Sequence, residues 1–224
     1  MVRTTLPALA LLWAASTASA GTEVQGVEAS SDAPRILVFT HTEGFRHDSI
    51  PVAVETVQTL AREQGLQVDH TEDSAALASP NLARYRAVVF ANTTGDVLDT
   101  GQQQALQAFV RAGGGFMGIH SAADTHHGWP WYGELVGAWF HKHPPGLQAT
   151  AVQPEQAGHA HGNAWPVLDE IYNYKRNPRP FVQVLATVDE ARYEGGTMGS
   201  DHPIAWCRPF EGGRTWYTGL GHDA

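Results

Sequence analysis

Cysteine is nearly absent from this chain. Cys207 is the only one in 224 residues, so no internal disulfide can form. It lies in Ile204-Ala205-Trp206-Cys207, a strand-like run, where a small buried thiol is a commoner role than a nucleophile. Positive charge is also short: 14 Lys and Arg stand against 23 Asp and Glu, a net charge of −9. A protein this acidic does not hold nucleic acid or an anionic membrane by bulk electrostatics. No apolar run is long enough to span a bilayer. Both nucleotide-binding glycine fingerprints are missing. The triplet Gly113-Gly114-Gly115 precedes its strand instead of following it, so no nucleotide cofactor is expected.

The first apolar run, Leu6 to Ala15, is short and follows Arg3, the one charge in residues 1–20. Ala18-Ser19-Ala20 then offers small residues at the two cleavage-determining positions. This pattern predicts a secretory signal cut after Ala20 and export to the periplasm or beyond, with an uncleaved anchor as the alternative. Loss of Arg3 leaves the mature chain one unit more acidic. Residues 21–34 read as a polar linker, and residues 35–224 as one domain with a sizeable core. The sequence stops at Gly221-His222-Asp223-Ala224, on a motif and not on a helix or polar tail. The expectation is a truncated C-terminus or a missing closing segment.

Within the domain, Arg35–Thr40 reads as a buried strand after Pro34. A helix follows, capped by Asp48 or Ser49, with Pro51 in its first turn. It carries Val54, Val57, Leu60 and Ala61 at helical spacing and stops at Gly65. Gln67–Thr71 is a second strand, and the loop 72–83 has a helical turn around Ser74–Leu77. Ala87–Ala91 is the third strand. A capping box at Thr100 and Gln103 opens the next helix, with Ala105, Leu106, Phe109 and Val110 on its apolar side and a stop at Gly113. A short buried fourth strand then ends in a sharp turn carrying His120 toward Asp124. Strand–helix alternation of this kind predicts an α/β fold, a flavodoxin-like doubly wound, mostly parallel sheet.

The second half is less regular. A short helix is expected around Tyr132–Val136, and strands at Gln148–Val152, Val182–Thr187, Pro203–Trp206 and Thr215–Thr218. Gly212-Gly213 marks the last hairpin turn. His159, His161 and Pro166 fall in a loop.

Three predicted strands run into polar clusters. The first delivers His41, Glu43, Arg46 and His47; the fourth His120, Ser121 and Asp124; the last His222 and Asp223. In a flavodoxin-like order the first, third and fourth strands are neighbours, and their carboxyl ends form the crevice where ligands gather. The His-x-His pair of His141 and His143 puts two imidazoles on one side of an extended segment, a spacing that suits a metal. The alternative is one ring on a backbone carbonyl and one in solvent. Gly118-Ile119-His120-Ser121-Ala122 has the outline of a nucleophile elbow with histidine at its tip. Histidine there suits acid–base or metal work better than an acyl-enzyme. Asp169-Glu170 reads either as acid–base groups or as a helix-start pair, and Asp201-His202 as acid–base groups or a strand-entry turn. Trp129 and Trp139 lie near these polar groups, where aromatic faces suit either a sugar ring or a core patch. Asn92-Thr93-Thr94 matches a glycosylation acceptor, but at a strand end it suits a ligand or backbone contact better.

The segments Thr42-Glu43-Gly44-Phe45-Arg46-His47-Asp48-Ser49-Ile50, 113–122, 137–144, Asp169-Glu170-Ile171-Tyr172, 201–206 and 213–223 together resemble the ThuA-like, trehalose-utilisation family. The resemblance implies a fold similar to the class I glutamine amidotransferases and a role in carbohydrate metabolism. The suspected substrates are oxidised (3-keto) disaccharides or glycosides. It also implies a closing helix past Gly-His-Asp. The amidotransferase cysteine is His120 here, so glutaminase activity does not carry over.

The expected function is an exported enzyme that hydrolyses or eliminates a glycosidic bond in a small sugar derivative, with a non-catalytic carbohydrate-binding domain as the alternative. A third reading is a metal-dependent hydrolase of an unrelated substrate. The catalytic candidates are His120, His222, Asp124 and Glu43. Those for substrate are Arg46, His47, Trp129, Trp139, Asp201 and His202. The metal candidates are His41, His120, His143 and His222, for a divalent transition ion such as zinc. The expected partner is a small carbohydrate. The sequence fixes no oligomeric state.

Overall fold

Apolar residues alternate along β1 (Arg35–Phe39), and the alternation sets the layers of the molecule. Leu37 and Phe39 enter one core while Ile36 and Val38 enter another, on the opposite face of the sheet. The computed structural model describes residues 33–155 and 163–223. The expected signal, nearly all of the linker, His159 and His161 lie outside the described residues. No helix among the described residues is long and apolar enough to cross a membrane.

α1 (Ile50–Glu63) covers the second face with Ile50, Val54, Val57 and Ala61. Leu60 falls off that stripe and is exposed, contrary to expectation. Ser49 occupies the N-cap position but makes no side-chain cap, because its hydroxyl donates to the Gly221 carbonyl instead (2.8 Å). β2 (Gln67–Thr71), a single turn at Ser74–Leu77 and α2 (Ser79–Leu82) lead to β3 (Tyr85–Ala91). α3 (Thr100–Arg111) packs on the first face through Leu106, Phe109 and Val110. Its capping box is Asp99 with Gln102, one residue earlier than the sequence pattern suggests, since Asp99 takes the extended N-cap conformation. β4 (Gly115–Ile119), a 3-10 turn over His120–Asp124 and α4 (Pro130–Val136) follow.

The remaining strands are β5 (Phe140–Lys142), β6 (Gln148–Pro154), β7 (Trp165–Asp169), β8 (Asn173–Tyr174), β9 (Gln183–Val188), β10 (Pro203–Phe210) and β11 (Gly213–Thr218). The main sheet runs β2-β1-β3-β4-β11-β10-β9-β6-β7. The first five are parallel, in flavodoxin-like order, with β11 as the fifth. The last four continue it antiparallel. β5 and β8 form a separate ribbon. In the main sheet β7 is the strand missed in the sequence, because Pro166 reads as a loop signal. Proline is tolerated there, since β7 is an edge. The β10–β11 hairpin turns at Glu211-Gly212, both with positive φ (45° and 98°), as a two-residue primed turn requires.

The consequence for function is positional. β1, β4 and β11 all end at one edge of the sheet, and the antiparallel β7 brings its own carboxyl end to the loop that follows β11.

Candidate metal centre

Four side chains converge at this edge. His47 comes from the β1–α1 loop, His120 from the end of β4, His222 from beyond β11 and Glu170 from the end of β7. Each offers one ligand atom, and the four atoms lie within 4.8 Å of one another. The imidazole centroids of His47 lie 4.8 Å from His120 and 5.0 Å from His222, and those of His120 and His222 are 5.4 Å apart.

The local backbone is shaped for this meeting. His120 sits at φ 47°, the left-handed region that a β-carbon disfavours, as the tip of an elbow does. Gly118 makes the elbow possible: a Cβ there would come within 3.0 Å of the Tyr217 ring and 3.2 Å of Ala122. The His120 carbonyl accepts a hydrogen bond from the Tyr217 hydroxyl (2.8 Å), and the Tyr172 ring lies on its imidazole at 4.1 Å.

Hydrogen bonding assigns the tautomer. His120 Nδ1 faces the Gly219 carbonyl at 2.8 Å, and a carbonyl only accepts, so Nδ1 carries the proton. In the neutral ring Nε2 then carries the lone pair. It is buried, has no hydrogen-bond partner, and points toward Glu170 Oε2 at 3.5 Å. His222 Nδ1 faces the same oxygen at 3.3 Å and is likewise buried without a hydrogen bond. Two unpaired ring nitrogens beside a carboxylate are costly unless something binds between them. His47 Nδ1 lies 3.3 Å from the Ser121 hydroxyl.

The electrostatics point the same way. Burial, reinforced by the neighbouring His120 and His222, pushes the His47 imidazole down to about 3, so it is neutral at ordinary pH. Burial works to raise the Glu170 carboxyl, but the adjacent imidazoles of His120, His222 and His143 outweigh it and hold it below the usual carboxylate range. A neutral His47 imidazole, two unpaired ring nitrogens and a carboxylate fit a divalent transition ion. The group that could hold one is His47, His120, Glu170 and His222.

His120 and His222 therefore lie where the sequence placed them. His47, expected to bind substrate, stands with them in the group that could hold an ion. His143 stands at the rim, with Nδ1 3.0 Å from Glu170 Oε1, outside the four. His41 does not join them: its Nε2 is taken by Glu43 at 2.7 Å. Glu43 is accordingly bound to His41, and Asp124 to His127 at 2.7 Å, so neither carboxylate is among the four. Arg46 pairs with Glu72 at 2.7 Å.

The remaining expected substrate residues are engaged elsewhere. Trp129 stacks on Trp131 and Tyr132. Trp139 lies against Gly133 and His127, with Lys175 over its ring. Asp201 is held by Arg179 and Asn177. His202 is buried between the Tyr172 carbonyl (2.9 Å) and Glu190 (2.7 Å). Asn92 donates to the Gly221 carbonyl at 3.0 Å, a backbone role. The Cys207 thiol is half-buried, and desolvation raises its pKa, away from nucleophile chemistry. A groove of about 760 Å³ lined by Arg35, Tyr85, Arg86 and Gly114 sits at the opposite, amino-terminal edge, away from all four ligands.

Glu170 is the residue the sequence undervalued. Its signal was present in Asp169-Glu170, but the pair also suits a helix start. No helix follows it.

The family described as ThuA, trehalose utilisation, matches residues 35–224. Two similar solved structures are putative ThuA-like proteins. The one from Bacteroides uniformis ATCC 8492 has a TM-score of 0.70 at 20% identity, covering 87% of this chain and 85% of that one. The one from Parabacteroides merdae ATCC 43184 has a TM-score of 0.69 at 18% identity, covering 86% and 81%. A β-galactosidase from Bacillus circulans sp. alkalophilus shares the fold at TM-score 0.51 and 14% identity, over 87% of this chain but 29% of that one. No curated protein matches this chain in sequence.

Proposed function

From the premise that this chain belongs to the ThuA, trehalose-utilisation family, and so has a carbohydrate-related role, we propose that it is a metal-assisted enzyme acting on a small sugar derivative. The observation that carries the metal is the pair of orphaned, buried nitrogens, His120 Nε2 and His222 Nδ1, aimed at one Glu170 oxygen. We assign zinc or a similar divalent transition ion to His47, His120, Glu170 and His222. A bound ion supplies Lewis-acid stabilisation to a sugar carbonyl or hydroxyl.

The protein's own groups account for the rest. Gly219 fixes the His120 tautomer, leaving Nε2 as the donor atom. Tyr172 packs on one face of that ring and excludes water from it. His143, half-exposed, donates from Nδ1 to the Pro144 carbonyl (2.9 Å) with Glu170 Oε1 3.0 Å away, and is placed to carry a proton between substrate and solvent. For a 3-keto glycoside the reaction is elimination. The C2–H bond breaks as the base takes the proton, the C1=C2 bond forms, and the C1–O bond breaks. The departing oxygen takes up a proton. The acidity of C2–H comes from the C3 carbonyl, whose developing negative charge a cation held by His47, His120, Glu170 and His222 would stabilise. In the same reading the amino-terminal segment exports the protein, and its partner is a small carbohydrate, neither nucleic acid nor membrane.

The test has two parts. Elemental analysis of the purified full chain should find about one zinc-type ion per chain. A screen of trehalose-type disaccharides and their 3-keto forms should then show turnover that a chelator abolishes. Sugar binding without turnover, in metal-free protein, would establish a carbohydrate-binding domain instead.

A further inference from the structure

The β1–α1 loop that delivers His47 also presents an aromatic ring to solvent. Phe45 is 66% exposed, the most of any large apolar side chain among the described residues. Its presentation is fixed by Thr94. The Thr94 carbonyl accepts the Glu43 N–H (2.9 Å). Its hydroxyl accepts the Gly44 N–H (3.2 Å) and donates to the Phe45 carbonyl (2.9 Å). Gly44 has little room for a side chain, since a Cβ would come within 3.2 Å of Thr94 Oγ1. A loop fastened at three successive residues holds Phe45 outward, although burying that ring would be favourable.

Phe45 is also one ring away from the ligands. It meets His47 edge-on at 4.8 Å, and His47 meets His120 and His222. Exposed polar groups flank it: the Glu43 carboxylate, steadied by His41, and the Arg46 guanidinium, steadied by Glu72. Trp129 and Trp139 are committed to internal packing, as described above, and the exposed Trp165 stands at the start of β7, the opposite end of that strand from Glu170. Phe140 packs under Tyr172 and His143, and Phe181 lies beneath the Arg176 guanidinium.

We propose that Phe45 is the stacking platform of a pyranose subsite. The proposal rests on the carbohydrate reading above. A pyranose with equatorial hydroxyls has an apolar face of C–H bonds whose hydrogens are slightly positive, and an aromatic face is slightly negative. Stacked on Phe45, such a ring turns its hydroxyl rim toward Glu43, which accepts, and Arg46, which donates. Its inner edge then faces His47 and the ligands behind it. The aromatic platform is thus a phenylalanine inside the histidine-bearing loop, and neither Trp129 nor Trp139.

The test is calorimetric binding of trehalose, methyl α-glucoside and their 3-keto forms to the full purified chain. Wild type is compared with Phe45→Ala, Phe45→Trp and, as an exposed-ring control, Phe181→Ala. Loss of one stacking ring should weaken binding about tenfold in Phe45→Ala. Phe45→Trp should retain affinity, and Phe181→Ala should match wild type. Zinc affinity and melting temperature should stay unchanged in Phe45→Ala. Equal sugar affinity in Phe45→Ala and wild type overturns the platform and leaves the carbohydrate reading standing. Parallel loss of zinc affinity also overturns it, because Phe45 would then be a shield for His47. A wild type that binds none of the probes overturns the carbohydrate reading and the platform with it.

Discussion

The Asp169 carboxylate accepts the backbone N–H of His222 at 3.1 Å, and with it those of Gly221 (2.7 Å) and Asp223 (3.2 Å). The same carboxylate accepts the N–H of Glu170 at 2.9 Å. One buried side chain thus sets two of the four clustered residues against each other. From the other side, Ser49 and Asn92 both donate to the Gly221 carbonyl. Asp169→Asn turns an acceptor oxygen into an amide that meets N–H with N–H. It should lower stability by about 1–3 kcal/mol and weaken zinc or cobalt binding roughly 10–100-fold. Chemical denaturation and titration with cobalt, whose absorption reports ligand geometry, measure the two effects. Unchanged cobalt affinity and spectrum would remove Asp169 from any positioning role.

His47 makes the metal-stripped protein acid-sensitive. Its folded pKa of about 3 lies below the ordinary value of 6.5. Between those limits the unfolded chain binds a proton that the folded chain refuses, so stability rises with pH. The contribution is complete above about pH 6.5. It is lost as pH falls toward 3, by up to roughly 1.4 kcal/mol per pH unit. Glu170 acts in the same direction at lower pH, because its carboxyl is held down in the folded state and stability falls as it is protonated. Denaturation of chelator-treated protein at several pH values should show this slope, and His47→Gln should flatten its upper part. An identical slope in the variant would mean that His47 is protonated in the folded chain.

Much of this arrangement was legible in the sequence because it follows from periodicity. The short apolar runs of β1 and β3 and the helical stripes of α1 and α3 pointed to the parallel half, its order and the edge where His120 and His222 emerge. What was not legible depends on contacts between distant segments. Pro166 hid β7, because an edge strand tolerates a proline that a central strand does not. With β7 hidden, Glu170 had no reason to reach the same edge. His41 and His47 share one loop, and spacing alone does not say that Glu43 takes the first and the buried cluster the second. Trp129 and Trp139 were drawn in by composition, yet Trp129 stacks on Trp131 and Tyr132, and Trp139 lies against Gly133 with Lys175 over its ring.

The ligand set makes its own prediction. Glu170→Gln removes the single negative charge among the four ligands while keeping the shape. His120→Ala removes the nitrogen whose tautomer is preset. Each should lower zinc affinity at least about tenfold, and each should reduce the rise in melting temperature that zinc produces by binding the folded state. His41→Ala, outside the set, should leave both quantities unchanged. Isothermal titration with thermal melts at fixed zinc concentration separates these outcomes. Equal zinc affinity in His120→Ala and wild type would place the ion elsewhere.

Gly219 ties the fold to the ring it serves. Its N–H donates to the Ile204 carbonyl at 2.7 Å, and its own carbonyl accepts from His120 Nδ1. A Cβ at this position would run into the Tyr174 hydroxyl and lie 2.7 Å from the Ile204 Cδ1 atom, both in well-packed surroundings. Gly219→Ala should therefore cost about 1–3 kcal/mol through overpacking. The strand end can relieve the clash only by moving, and that movement carries the carbonyl away from His120. Zinc affinity should fall in the protein that remains folded. Gly65→Ala supplies the contrast. Its φ of 69° imposes a backbone cost, but nothing lies within 4 Å of the added carbon. It should lose about 1–2 kcal/mol of stability and bind zinc as wild type does. If both variants lose stability and neither loses zinc affinity, the Gly219 carbonyl does not orient His120.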